Sequence, residues 1–429
     1  MVKNALEPQW EARFEWCSYG FRPGRSAHDA MALIYNRSCR GALKPWVIDA
    51  DIRSAFDRIS HEFLMSKIGN FPARELIKQW LKAGIVEENG FFQDTQEGTP
   101  QGGVISPLLA NIALDGMEQA IPSNRLVRYA DDMVIFCKSK GEAEEILKIA
   151  DRWLRKRGLE FAQEKTIIVN LTEGFDFLGF HVRQYPIADT RRSRKGELLP
   201  HARRTQKLLI TPSKEKVKLL RRKIKATSRQ FLGAPQHALI DQLNPLLRGW
   251  GNYYRHVVAS RTFSGVGDYC WKILWKWARR RHQKKGKRWI ADRYWGRYNP
   301  TRKDRWVFGY YDAKNGKNRY LIKMSWIPIE RYFSVKGDAS PDNPELTSYW
   351  EKRRRRKQAE EQRPYHRILR VKQKGLCPQC GCELDNGEEL HIHHTTPLSQ
   401  GGKDHILNMQ LLHMFCHQQI HANLKGNTA

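Results

Sequence analysis

At 429 residues and 50.2 kDa, the chain is long enough for roughly two to four domains with cores of their own. Seventy-five Lys+Arg against forty-five Asp+Glu give a formal charge of +30 and a pI near 9.9, an excess that suits a polyanionic partner because phosphate contacts release counterions. No apolar run reaches membrane-spanning length, Met1 to Glu7 does not resemble a signal peptide, and four cysteines stand singly in the first 270 residues while four lie in the last 53. That pattern excludes a secreted disulfide framework and predicts a soluble, cytoplasmic protein with a metal site and no membrane partner. Fourteen Trp in so charged a chain have two explanations, stacking platforms for bases or ordinary helix cores.

The N-terminal part reads as alternating strands and helices. Ser18-Tyr19-Gly20-Phe21-Arg22-Pro23-Gly24-Arg25-Ser26 opens it. Trp46-Val47-Ile48-Asp49-Ala50-Asp51-Ile52 reads as a buried strand carrying carboxylates, followed by Phe56-Asp57. Asp49 and Asp51 are two residues apart and share a face. The stretch from Glu97 to Pro107 contains Pro100-Gln101-Gly102-Gly103, whose glycines let backbone approach a ligand closely. Leu126-Val127-Arg128-Tyr129 and Met133-Val134-Ile135-Phe136 read as strands meeting at a turn that holds Ala130-Asp131-Asp132. Two adjacent carboxylates there repel each other unless cations neutralise them, and Mg²⁺ suits such hard oxygen ligands. Taken alone, Asp-Asp is weak evidence, because such pairs are common in ordinary solvated turns. Ala143, Ile146, Leu147, Ala150 and Leu154 predict a helix stopped at Gly158, and strand signals resume at Lys165 to Val169. Phe175-Asp176-Phe177-Leu178-Gly179-Phe180 follows.

From Asp189 the pattern is basic and helical. Val217, Leu220, Ile224 and Phe231 form one apolar stripe; Val266, Tyr269, Cys270, Ile273, Leu274 and Trp277 form another. A solvated helical bundle explains the stripes but not the nearly uniform charge of the polar faces. Arg248-Gly249-Trp250-Gly251-Asn252-Tyr253-Tyr254 lies between the stripes. Residues 286–333 are rich in Trp, Tyr, Arg and Lys, with a hairpin signal at Asn315-Gly316. Lys336 to Arg363 reads as a basic linker.

In the last stretch, Cys377-Pro378-Gln379-Cys380 and His413-Met414-Phe415-Cys416 are separated by 32 residues and offer a Cys₃His set that suits structural Zn²⁺. Cys382 is a competing ligand with poorer spacing. Nested inside are His393-His394, with Asn408 fourteen residues later, His417 nine beyond that, and His421 one helical turn further.

The order of carboxylate strand, Pro-Gln-Gly-Gly loop and Tyr-Ala-Asp-Asp hairpin resembles the palm of reverse transcriptases. The Tyr19–Arg25 and Phe175–Phe180 blocks and the Arg248–Tyr254 signature narrow the resemblance to group II intron-encoded reverse transcriptase/maturases, and the Cys/His region is similar to the HNH endonuclease many of them carry. The resemblance implies a multidomain α+β chain: residues 1–188 a reverse-transcriptase palm, 189–285 a helical maturase X/thumb domain, 286–362 a basic DNA-binding region and linker, 363–429 an HNH zinc module of ββα-metal fold. It implies Asp51 and Asp131 as ligands bridging two Mg²⁺, with Asp132 in support. Phe56 matches a position that blocks a ribose 2′-OH; Gln101 and Gly102 match the loop under the incoming base; Arg22 is implied as a substrate contact. Lys165 matches a lysine near the leaving pyrophosphate, and is equally a surface lysine beside a strand. In the nuclease, His394 matches the general base, Asn408 its support, and His393, His417 and His421 the ligands of a catalytic Mg²⁺ or Mn²⁺. Intron RNA, target DNA and deoxynucleoside triphosphates are the implied partners; no oligomeric state is implied.

The family places a finger subdomain before Tyr19, whereas this chain starts 18 residues before it. The expectation is an N-terminally truncated member with complete carboxylates and an incomplete nucleotide-binding roof. Two further readings therefore stand beside polymerase, maturase and endonuclease together: an RNA-binding maturase with a vestigial polymerase, and a DNA endonuclease on an inactive polymerase remnant.

Overall fold

The computed structural model describes residues 1–38, 44–86, 92–93, 95–100, 102–122, 125–186, 206–313, 315–361, 364–384, 390–397, 400–402, 405–414 and 416–420. It divides into two compact units: Met1–Arg222 with Trp250–Val266 and Ile327–Pro344, and Lys223–Gly249 with Gly267–Trp326 and Glu345–Ala429.

The first unit is built on a five-stranded sheet. Strand Trp46–Asp51 lies between Asp132–Cys137 and Ile167–Asn170, antiparallel to both; Leu126–Tyr129 pairs with Asp132–Cys137 and, in parallel, with Ser18–Tyr19. Period-two alternation decides what each face carries. Ile48, Ala50 and Ile52, with Met133, Ile135 and Cys137, enter a core shared with Leu6 and Trp10 and with Ile146, Ala150 and Leu154. The last three belong to helix Lys140–Arg155, which Ser139 caps by accepting from the Glu142 N–H at 3.1 Å. The other face carries Asp49, Asp51 and Asp132 at one end and the buried Val47, Val134 and Phe136 beside them.

A second sheet orders Gln206–Pro212, Phe180–Pro186 and Phe175–Phe177. Its hairpin tip is met by Tyr253 and Tyr254. Tyr253 Oη donates to the Leu178 carbonyl at 3.1 Å, Tyr254 Oη donates to the Gly179 carbonyl at 3.0 Å, and Tyr253 stacks on Phe180. Two motifs far apart in sequence thus pack as one.

Arg22 points inward. Its side chain and that of Glu11 are each 1% exposed; Nε and Nη2 donate to the Glu11 carboxylate, both at 2.9 Å, while Nη1 donates to the carbonyls of Glu15 and Ser18. This corrects the expectation of a substrate contact: the guanidinium is spent on tying the N-terminal helix Val2–Glu11 to the following loop. Arg22→Ala leaves Glu11 buried and unpaired, and we expect it to lower stability by about 3–5 kcal/mol, read as a fall in the urea midpoint at unchanged slope. A shift under about 1 kcal/mol would mean that water reaches Glu11.

Helices Lys214–Gln230, Gln236–Tyr254 and Ser260–Arg281 follow. In the second unit, Trp295–Gly296, Val307–Asp312 and Lys317–Tyr320 form an antiparallel sheet whose hairpin contains Gly316 at φ +61°. Within the basic linker Thr347–Glu361 is helical, because its Glu, Lys, Arg, Gln and Ala all favour helix without needing an apolar stripe. Helix Pro364–Lys372 and hairpin Leu390–His394/Met409–His413 bury Leu369, Leu384, Met409, Leu411 and Leu412 with Cys377 and Cys416. Among the described residues, no helix is long and apolar enough to cross a membrane.

Candidate functional site

Asp51 and Asp132 are direct cross-strand partners, and Asp131 is at the turn that precedes Asp132. Carboxylates facing each other across a ladder repel, and burial makes this worse. Burial, then the charges of Asp131 and Asp51, pushes Asp132 up to about 6; burial also raises Asp131. Asp49, on the same face, is pushed up to about 7, first by burial and then by Asp132. Lys165 Nζ donates to Asp51 Oδ2, which raises the lysine's own pKa. A group of hard oxygen donors with charge left to neutralise fits Mg²⁺.

The turn is held from beneath. Arg128 is fully buried; its Nη1 donates to Asn111 Oδ1 at 3.0 Å and to the Ala130 carbonyl at 3.2 Å, and Asn111 Nδ2 donates to the Gly20 carbonyl at 3.0 Å. Ala130 takes φ +56°, and a Cβ on Gly20 would sit 2.5 Å from the Ala130 nitrogen. The glycine of the Tyr-Gly-Phe-Arg block is therefore required by the Asp-Asp turn. Gly98 has a parallel reason: at φ +84° its added Cβ would meet the Asp57 carbonyl at 2.5 Å. Arg128 and Asn111 were missed by motif reasoning; the signal was an arginine inside an otherwise apolar strand.

Phe56 is partly buried against the palm core, and the exposed ring of Phe21 meets it edge-on at 6.0 Å. Gly102 is exposed at φ +85°; Gln101 lies outside the described residues.

In the C-terminal module, Cys377, Cys380, His413 and Cys416 place their ligand atoms within 4.8 Å of one another. His413 Nδ1 faces Cys380 Sγ at 3.4 Å and Cys416 Sγ at 3.9 Å, while Nε2 is 3.0 Å from the Glu383 carbonyl. The backbone N–H of Cys382 is the first cause pushing the Cys380 thiol down. Cys382 itself is exposed and outside the group. Three sulfurs and an imidazole fixed through its far nitrogen fit a tetrahedral zinc site.

His393 is buried, and its ring is 5.4 Å from that of His417; His391, two residues earlier on the same strand face, is 5.3 Å from His417. His391 was passed over, although its spacing from His393 could have pointed to it. His394 takes the alternate face. Asn408 pins the residues after His394, accepting from Thr395 Oγ1 at 2.7 Å and the Thr396 N–H at 2.8 Å and donating to the Thr396 carbonyl at 2.9 Å. His421 lies outside the described residues.

One chain thus carries a sheet with clustered carboxylates and a separate Cys/His hairpin module. Comparison with known families agrees: residues 1–182 match the reverse transcriptase (RNA-dependent DNA polymerase) family, 217–295 the group II intron maturase-specific domain, and 377–423 the HNH endonuclease family. The order of these three matches along the chain fits a reverse transcriptase/maturase with a C-terminal HNH module. Protein YkfC of Escherichia coli is 31% identical over 45% of this chain and 60% of its own length. Group II intron-encoded protein LtrA of Lactococcus lactis is 28% identical over 59% of this chain and 55% of its own. The chain thus spans only about half to three fifths of these relatives. A solved telomerase structure from Candida albicans aligns with 67% of this chain and 55% of its own, at 13% identity and a TM-score of 0.35.

Proposed function

We propose that the chain is an RNA-directed DNA polymerase, an intron-RNA maturase and a DNA endonuclease, divided as palm 1–188, maturase domain 189–285, DNA-binding region 286–362 and nuclease 363–429. The observation that carries it is the Asp51–Asp132 register beside Asp131, a carboxylate group that stability alone does not favour. Asp51 and Asp131 would hold two Mg²⁺, with Asp132 in support; bound there, the ions supply stabilisation of the attacking and leaving oxygens. Lys165 neutralises Asp51 and stands near the departing pyrophosphate. Phe56, with Phe21 against its edge, walls off a ribose 2′-OH and so selects deoxynucleoside triphosphates. Gly102 would lie under the incoming base, a role the resemblance also implies for Gln101. Intron RNA and target DNA are the polyanions that the basic domains hold. The test is extension of a DNA primer on an RNA template by the purified chain with Mg²⁺; complete absence of extension removes the polymerase from this reading.

For the nuclease, Cys377, Cys380, His413 and Cys416 would hold structural Zn²⁺, and His393, His417 and His421 a catalytic Mg²⁺ or Mn²⁺. That ion supplies charge stabilisation at the scissile phosphate. A ring nitrogen of His394 takes the proton of the attacking water, and Asn408 fixes the loop that follows His394. His394→Ala should therefore lower DNA nicking by about 10²–10⁴-fold, the range for loss of a general base, with zinc content unchanged. Nicking at the wild-type rate would transfer the role to another group.

A further inference from the structure

The tryptophans of residues 271–306 divide by exposure. Trp277 and Trp295 are buried against Tyr294 and Phe308. Trp271 and Trp306 are 39% and 52% exposed. Trp271 stacks on Trp275 one helical turn along, with centroids 5.6 Å apart and planes 9° from parallel. Trp306 meets Trp271 edge-on at 6.4 Å, and Trp295 closes the cluster at 6.3 Å from Trp271 and 5.2 Å from Trp275. Core packing explains Trp277 and Trp295. It does not explain why the group ends in two open indoles whose orientation is already fixed, so that little side-chain entropy remains to be lost on binding.

Charge identifies the occupant. Residues 271–311 carry fourteen Lys+Arg against two Asp+Glu. Lys272, Lys276 and Arg279 are exposed along the same helix as Trp271, and Arg305 is exposed beside Trp306. Of the two acids, Asp304 is engaged by Lys323 at 2.9 Å and by the Trp326 ring N–H at 3.2 Å, and Asp292 is exposed. Flat apolar faces beside a row of cations match a polymer with both planar faces and phosphates. A duplex hides its base faces; an unpaired strand offers them. Trp271, Trp275 and Trp295 fall within the stretch that matches the maturase-specific domain, and Trp306, from the segment proposed to hold DNA, packs edge-on against Trp271 of that stretch, so RNA is the favoured occupant.

We infer that Trp271, Trp275 and Trp306 form a stacking platform for unpaired RNA nucleotides, with Lys272, Lys276 and Arg279 holding the adjoining phosphates. This rests on the reading of the chain as an intron-RNA binder and adds the strand state it grips and the rings that do so.

The test uses the whole chain and a short fluorescein-labelled oligoadenylate, read by anisotropy against an abasic oligomer with the same phosphates. Wild type should bind the intact oligomer about tenfold or more tightly than the abasic one. Trp271→Ala with Trp306→Ala should lose about ten- to a hundredfold toward the intact oligomer and little toward the abasic one, with an unchanged salt slope. Trp306→Phe should retain most of the affinity. Trp306→Ala alone, at the most open position, should keep the circular dichroism of wild type and still lose affinity. The platform is overturned if wild type does not distinguish the two oligomers, if the tryptophan variants still do, or if duplex RNA loses affinity equally. Tighter binding of a DNA oligomer, or of anionic phosphatidylserine vesicles, through the same tryptophans also overturns it. Retention of folded group II intron RNA on filters, measured in parallel, judges the maturase reading separately: its absence in wild type removes that reading, while the platform stands or falls on the oligomer.

Discussion

Asp131→Asn should reduce Mg²⁺-dependent primer extension by about a thousandfold or more, on the order of 4 kcal/mol of transition-state stabilisation. Asparagine keeps the shape of the side chain and removes the charge that would bridge the ions. The fold should not suffer. Asp131 is at a turn beside Asp132, which faces Asp51, so neutralising it relieves like-charge repulsion. Without divalent ions the variant should be as stable as wild type or more so. The sign follows from the raised values of Asp131 and of Asp132 at about 6. A carboxylate raised by folding favours the native state while protonated, and that contribution is lost as pH rises through the folded value. Any gain in stability should therefore appear near neutral pH and vanish in acid, where the wild-type carboxylates are already neutral. Activity and stability moving in opposite directions is the signature of a metal site; a general loss of fold would move both down. Single-turnover extension and urea midpoints in EDTA, on the same preparation, separate the two. Undiminished extension by Asp131→Asn would place the ions elsewhere.

What was legible in the sequence was whatever local periodicity or spacing encodes. The alternation Ile48, Asp49, Ala50, Asp51, Ile52 puts the two carboxylates on one face and the apolar residues on the other, and the observed core takes Ile48, Ala50 and Ile52. Ala143, Ile146, Ala150 and Leu154 mark the buried face of their helix. The spacing of Cys377, Cys380, His413 and Cys416 brings all four together, because hairpin Leu390–His394/Met409–His413 returns the chain to its start. Illegible were interactions whose two halves share no pattern. Arg22 looks like a cation offered to substrate until Glu11 is seen facing it. Arg128 reads as one polar residue in a strand, yet through Asn111 it ties the Tyr-Gly-Phe-Arg block to the Asp-Asp turn. Helix Thr347–Glu361 escaped because periodicity of apolar residues was the guide, and a helix of charged residues has none.

Removing zinc should unfold the C-terminal module and leave the palm sheet intact. The core there is small: Leu369, Leu384, Met409, Leu411 and Leu412, completed by Cys377 and Cys416, which are themselves two of the four candidate ligands. Without the ion, the core would have to bury thiols whose attraction to each other is weak. With it, the ion crosslinks the Cys377–Cys380 turn to the end of the hairpin at His413 and Cys416. Structural zinc in small modules contributes on the order of 10 kcal/mol of apparent binding free energy, more than so few apolar side chains supply. A strong chelator should therefore abolish hydrogen-exchange protection across strands Leu390–His394 and Met409–His413, while Trp46–Asp51 and Asp132–Cys137 stay protected. Cys380→Ser should reproduce the effect without chelator, because it removes one ligand at an exposed position and leaves the apolar core unchanged. Acidification should release zinc as the thiolates and His413 take up protons, so unfolding by acid and by chelator should end in the same species. Nicking activity should fall with zinc content in all three cases, whereas His394→Ala should lose nicking at full zinc content. A module that stays protected after one equivalent of zinc has been stripped would show that the apolar core suffices and that the Cys₃His group is not what holds the fold.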